Sequence, residues 1–139
     1  MIIFCDIDGT ISDSAWRDPM LKNNSSWDEY YLAGDDDKPI VPISDMIKVL
    51  NQAGATIIGT TGRPEKWRAL TMKWLLRYNI PFDELLMRAE TDRRPSPQVK
   101  IDFLKVYTPD LVIDDRADIC AAFCSVGIST LLSTYCGVR

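Results

Sequence analysis

Two aspartates one residue apart, Asp6 and Asp8, stand at the exit of the apolar run Ile2-Ile3-Phe4-Cys5 and open directly into Gly9-Thr10, in the stretch IIFCDIDGT. A carboxylate so placed suits a nucleophile in phosphoryl transfer. A buried strand of a parallel sheet delivers its C-terminal residues to the crevice where such sheets bind ligands. Alternate residues of an extended strand point the same way, so the two carboxylates are expected to converge unless a cation lies between them. Gly9 lets the backbone turn sharply and bring amide groups close to an anion. The same residues also fit a capped turn, with one aspartate accepting local N–H bonds and the other solvated.

Three further stretches follow in the order one active site would require. TIIGTTGRP reads as a second buried strand running into Thr60, Thr61, Gly62 and Arg63. A hydroxyl, a glycine and a permanent planar cation at a strand end suit a phosphate, although a Thr-capped strand-to-helix turn has the same composition. Lys100, in PSPQVKIDFLKVY, is expected in the first turn of a helix, where the helix dipole disfavours a cation unless an anion lies nearby. DLVIDDRADI reads as a third short strand ending in Asp114 and Asp115. Acids at the end of a hydrophobic run are costly unless solvated, paired or bound to a cation. Four carboxylates from two strand ends, Asp6, Asp8, Asp114 and Asp115, call for a hard divalent ion, and Mg²⁺ is the usual one beside phosphate.

Taken together, DIDGT, the Thr61-Gly62-Arg63 step, Lys100 and Asp114-Asp115 resemble the four motifs of the haloacid dehalogenase superfamily of phosphotransferases, in order from Asp6 to Asp115. TGR with VIDDR, and the intervening KPIVPISDMIKVLNQAG, resemble more narrowly the 3′-phosphatase domain of bacteriophage-type polynucleotide kinase-phosphatases. No G-x-x-x-x-G-K-[ST] is present, so these residues hold no P-loop kinase half.

The resemblance implies a phosphatase with Asp6 as nucleophile and Asp8 as general acid and then base, and the residue chemistry agrees. It implies Mg²⁺ held by Asp6, the main-chain carbonyl of Asp8, and Asp115 with Asp114. Thr61 and Lys100 would hold the transferring oxygens, while Gly62, Arg63 and Arg94 are the candidate substrate contacts. A 3′-phosphate on a nucleotide or nucleic-acid end is the expected substrate. The same machinery serves a small-molecule phosphatase, such as a 5′-nucleotidase or sugar-phosphate phosphatase, and a non-catalytic module on this fold would have no evident use for four carboxylates.

Composition narrows the chemistry. The absence of histidine removes every Ser-His and Cys-His mechanism, so acid–base work falls to carboxylates. Cys5, Cys120, Cys124 and Cys136 lack zinc spacing and are expected to be reduced, mostly buried thiols. No apolar run approaches the length of a membrane span, and Met1 leads straight into a strand, so a cytoplasmic protein with no membrane partner is expected. A net charge of −4, with Asp35-Asp36-Asp37 in one run, opposes extended nucleic-acid binding. Arg88, Arg93 and Arg94 with Lys100 form the one basic concentration, suited to one or two phosphates or simply to a solvated loop.

The elements that must position these groups read as one domain over 1–139. Strands are expected to 6 and over 55–59, 85–87, 111–113 and 129–132, with helices over 44–53, 65–79, 99–106 and 117–126. Strands alternating with helices predict an α/β fold with a doubly wound parallel sheet. The segment 11–41 reads as irregular and too long for a plain connection, and the resemblance implies a small cap or flap there. Trp16, Trp27, Tyr30 and Tyr31 within it could stack on a base or form the flap's own small core, whereas Trp67, Met72 and Trp74 read as helix-packing core.

Overall fold

The computed structural model describes residues 1–135, which leaves Cys136 outside the described residues. Five parallel strands form one sheet: β1 (Ile2–Cys5), β4 (Thr56–Pro64), β5 (Glu84–Arg88), β6 (Leu111–Asp114) and β7 (Ser129–Leu132), in the order β5-β4-β1-β6-β7. The pair β2 (Ser12–Asp13) and β3 (Lys38–Pro39) forms a separate antiparallel ribbon. The helices are α1 (Asp18–Lys22), α2 (Trp27–Ala33), α3 (Val41–Gln52), α4 (Arg68–Arg77), α5 (Ser96–Asp102) and α6 (Ala117–Ser125).

The pleat sorts the core into two layers. Ile3 and Cys5 of β1 face a cluster with Ile47 of α3 and Trp74 and Leu75 of α4. Phe4, between them, faces the opposite cluster with Val99, Phe103, Ile119 and Phe123, from α5, the short 3₁₀ turn after it, and α6. A β1 buried on both faces explains its unbroken apolar run, and helices on both faces make the sheet doubly wound, as expected.

Several boundaries differ from the sequence reading. The helix expected from 44 begins at Val41, because Pro42 sits in the first turn, where its missing N–H costs nothing. The strand expected over 55–59 continues to Pro64, past Thr61, Gly62 and Arg63, with an irregularity in its pairing to β5 between Thr61 and Pro64. The helix expected over 65–79 is a 3₁₀ turn at Glu65–Trp67 followed by α4. The helix expected over 99–106 starts at Ser96, placing Lys100 in its last turn rather than its first. The dipole argument for Lys100 therefore does not hold, and its partners have to be found in the site itself.

The segment expected to be irregular, 11–41, contains α1, α2, β2 and β3. Ser26 caps α2 by accepting from the Glu29 N–H, an S-x-x-E start readable in the sequence. Among the described residues, no helix is long and apolar enough to cross a membrane. Cys5 and Cys120 are buried free thiols, while Cys124 is exposed, against the expectation of burial.

Candidate active site

The carboxyl ends of β1, β4 and β6, joined by Lys100 from α5, form the floor of a cleft of about 940 Å³. After β1 the chain folds into a tight turn in which the Ile7 carbonyl accepts from the N–H groups of Thr10, Ile11 and Ser12. Gly9 takes φ +84° in this turn, and a Cβ there would fall inside the Asp115 carboxylate. Only glycine lets the turn and the β6 acids approach so closely.

Asp6 is buried and fully engaged. It accepts from Lys100 Nζ at 2.7 Å and from Thr10 Oγ1 at 2.9 Å. Lys100 Nζ also donates to Asp114 at 2.6 Å. Ligand oxygens of Asp6, Asp114 and Asp115 lie within 4.8 Å of one another. Burial pushes the Asp6 carboxyl well up, against the pull of Lys100, and Asp114 and Asp115 push it further. Although burial works against its charge, the carboxylates of Asp6 and Asp114 hold the Lys100 ammonium above the usual lysine range. Three carboxylates facing one ammonium leave a surplus of negative charge on hard oxygen ligands, which is the donor set a Mg²⁺ ion fits.

Asp8 does not join that cluster, and the expected convergence with Asp6 does not occur. Its carboxylate turns to two guanidiniums, accepting from Arg63 at 2.9 and 2.7 Å and from Arg17 at 2.5 Å. Burial alone would raise the Asp8 pKa, but Arg63 and Arg17 outweigh it and hold the carboxyl well below the usual range. Each of the two aspartates therefore has its own cationic partner.

Thr61 is buried, and its hydroxyl accepts the Arg63 N–H at 3.1 Å. Gly62 and Arg63 line the cleft. Arg63 also donates to Thr71 at 3.1 Å, so its bidentate hold on Asp8 is braced from α4. Arg94 lines the rim, half exposed and paired with Asp92 and Asp102 at 2.8 and 2.6 Å. Arg88 is drawn inward to the carbonyls of Gly62, Asp92 and Arg94, bracing the loop after β5. The basic concentration is thus largely spoken for within the protein.

Arg17 and Asp37 were not singled out by sequence for this network. Both are fully buried, and Arg17 donates to Asp37 at 2.9 and 2.6 Å while reaching Asp8. Ser12 and Trp16 also donate to Asp37. The run Asp35-Asp36-Asp37 is accordingly not a free acidic patch: Asp37 neutralises Arg17, and Asp35 pairs with Arg77 at 2.9 Å. A polar insertion reads as solvated surface in one dimension, and no spacing signal joins residues 17 and 37.

A protein family described as the polynucleotide kinase PNKP phosphatase domain matches residues 1–135. A chain in the structure of the Pnkp1/Rnl/Hen1 complex superposes with TM-score 0.80 at 26% identity, over 96% of this chain and 46% of that one. A chain in the structure of the Pnkp1/Rnl/Hen1 RNA repair complex gives 0.82 at 25%, over 99% of this chain and 43% of that one. The chain thus spans less than half the length of those two. D,D-heptose 1,7-bisphosphate phosphatase from B. bronchiseptica shares the fold, with TM-score 0.60 at 19% identity over 94% of this chain and 79% of that one. Comparison with curated proteins gives no match.

Proposed function

Because the chain belongs to the family of polynucleotide kinase phosphatase domains, within the haloacid dehalogenase phosphatases, we propose that it removes 3′-phosphate from nucleotides or nucleic-acid ends through an aspartyl-phosphate. The observation that carries the proposal is the placement of Asp6 at the cleft floor, bridged by Lys100 to Asp114 and flanked by Asp115.

In this scheme Asp6 attacks phosphorus, forming the Asp6 O–P bond as the P–O ester bond breaks. The leaving oxygen takes a proton from Asp8. Water then attacks the same phosphorus and gives its proton to Asp8, and the Asp6 O–P bond breaks to release phosphate. Lys100 would hold charge on Asp6 and on a transferring oxygen, and the others are assigned to the backbone of Gly62, which lines the cleft, and to Thr61, buried beside it. Arg63 and Arg17 hold Asp8 ionised in the resting site. An incoming phosphate competes for the same guanidiniums, and as Arg63 turns to it, Asp8 takes up from solvent the proton that it then gives to the leaving oxygen. Asp6, Asp114 and Asp115 would hold Mg²⁺, with the Asp8 carbonyl; bound there, the ion neutralises the charge that keeps carboxylate and phosphate apart. Arg94, half exposed where it lines the cleft, would reach the residue carrying the phosphate by exchanging its pairing with Asp92 or Asp102.

Phosphate release from a panel of 3′-phosphorylated oligonucleotides, 3′- and 5′-mononucleotides and sugar phosphates tests the reading. The 3′-phosphates should lead in kcat/KM, with little dependence on length beyond the terminal residues. A hundredfold preference for 5′-mononucleotides or sugar phosphates would replace it with a small-molecule phosphatase.

A further inference from the structure

One wall of the cleft is aromatic. Trp27, Tyr30 and Tyr31 of α2 line it, with Trp27 and Tyr31 stacked at 5.7 Å and 26°. A flap core would bury its tryptophan, yet Trp27 is 59% exposed while lining the cavity. The wall is fixed relative to the acid–base group: Arg17, which holds Asp8, lies 4.5 Å over the Tyr30 ring and donates to the Tyr30 carbonyl. It is also pinned to the turn after β4 by the Asp28–Lys66 pair at 2.7 Å.

Charge along the cleft argues against a tracked polyanion. Lys66, Arg94 and Arg116 are paired with Asp28, Asp92 and Asp118, and Asp18 and Glu90 add negative lining. Beyond the reacting phosphate, the surface left to hold a substrate is the exposed ring face together with the exposed Arg93. The cleft volume falls within the usual range of small-ligand sites, about 300–1,000 Å³, which a terminal nucleotide suits.

Resting on the 3′-phosphatase reading above, we infer that Trp27 and Tyr31 form a stacking platform for the base of the nucleotide that bears the phosphate, so that the site takes an unpaired end. A base held on the platform cannot remain stacked within a duplex, so single-stranded and overhanging ends are better substrates than blunt or recessed ones.

The test compares a 3′-phosphorylated dinucleotide with the same molecule lacking its terminal base, on the wild type, Trp27→Ala and Trp27→Phe. Base–aromatic stacking of about 1–3 kcal/mol corresponds to roughly 5- to 150-fold, so the wild-type ratio of kcat/KM, base-bearing over abasic, should lie in that range. It should fall toward one in Trp27→Ala, through KM rather than kcat, and be largely kept in Trp27→Phe. A wild-type ratio of one, or a ratio untouched by Trp27→Ala, overturns the platform. Should Trp27→Ala fail to fold, tryptophan fluorescence is titrated with the dinucleotide in Asp6→Asn, with and without Trp27→Phe. Quenching lost with Trp27→Phe supports the platform, and unchanged quenching overturns it. If only 5′-phosphates are hydrolysed, the same ratio read on the 5′-phosphorylated pair separates the two claims: a high ratio that falls in Trp27→Ala keeps the platform while the 3′ reading fails.

Discussion

Lys100 Nζ lies between the carboxylates of Asp6 and Asp114, donating to each at 2.7 and 2.6 Å, and all three residues are buried. Two acids from different strands are therefore held together by one cation. Removing it leaves buried charge without a partner, which typically costs about 3–5 kcal/mol. Lys100→Met should lower the melting temperature in metal-free buffer and cut kcat at least a hundredfold. Part of the lost stability should return with Mg²⁺, because the ion would supply the missing positive charge. A variant with wild-type kcat would remove Lys100 from the chemistry.

Asp6→Asn separates chemistry from folding. An amide keeps the shape and the Thr10 contact but is a poor nucleophile, so turnover should vanish. The melting temperature should hold or rise, since burial and the neighbouring acids already work against charge on Asp6. Retention of a tenth of the wild-type rate in the purified variant would rule out the covalent route.

Metal dependence can be read in two ways. Activity should be lost in EDTA, return with Mg²⁺, and be inhibited by Ca²⁺, whose longer bonds and higher coordination would misplace the reacting groups. Independently of turnover, Mg²⁺ at a hundred times its Kd should stabilise the fold by about 2.7 kcal/mol. That gain should disappear in Asp115→Asn, and an equal gain in the variant would exclude Asp115 as a ligand.

Asp37 is expected to matter although it does not line the cleft. Asp37→Ala leaves buried Arg17 with Asp8 as its remaining carboxylate partner, at a cost of about 3–5 kcal/mol. Because Arg17 then shifts on Asp8, kcat should fall as well. Wild-type kcat together with an unchanged melting temperature would show that the pair bears no strain and positions nothing.

The acid limb of stability should carry the signature of Asp8. Arg63 and Arg17 depress its folded pKa below the unfolded value of about 3.9. Its contribution is therefore complete above that value and lost as pH falls through the folded pKa. Melting temperature against pH from 5 down to 2 should be shallower for Asp8→Asn than for the wild type. Parallel curves would mean that the arginines do not hold Asp8 ionised.

Legibility in the sequence followed the reach of local physics. β1 and β6 could be read because strands buried on both faces are continuously apolar, and their ends then locate Asp6 and Asp114, whereas only the apolar start of β4 is legible and the strand runs on through Thr61 to Pro64. The motif identifies Lys100 but not its helix register, because Ser96 and Pro97 begin a helix whose apolar spacing starts only at Val99. Arg17 and Asp37 could not be read, since a buried ion pair and a solvated one use the same residues, and here the two lie 20 positions apart. The direction of the Asp8 carboxylate was hidden for the same reason, because both of its partners come from other elements.

β1 lies at the centre of the sheet, between β4 and β6, and precedes both in the chain. During synthesis it therefore waits, with one edge unpaired until Thr56 is available and the other until Leu111 is. The hydrogen bond from Ile2 N to Asp110 spans 108 residues, a separation that makes closure entropically late and slow. The strand that leads into Asp6 is thus translated early in the domain but enclosed late. Nascent chains stalled before Leu111 would expose an apolar strand edge, making that interval the one in which the domain is most prone to pair with another chain and most dependent on protection by chaperones.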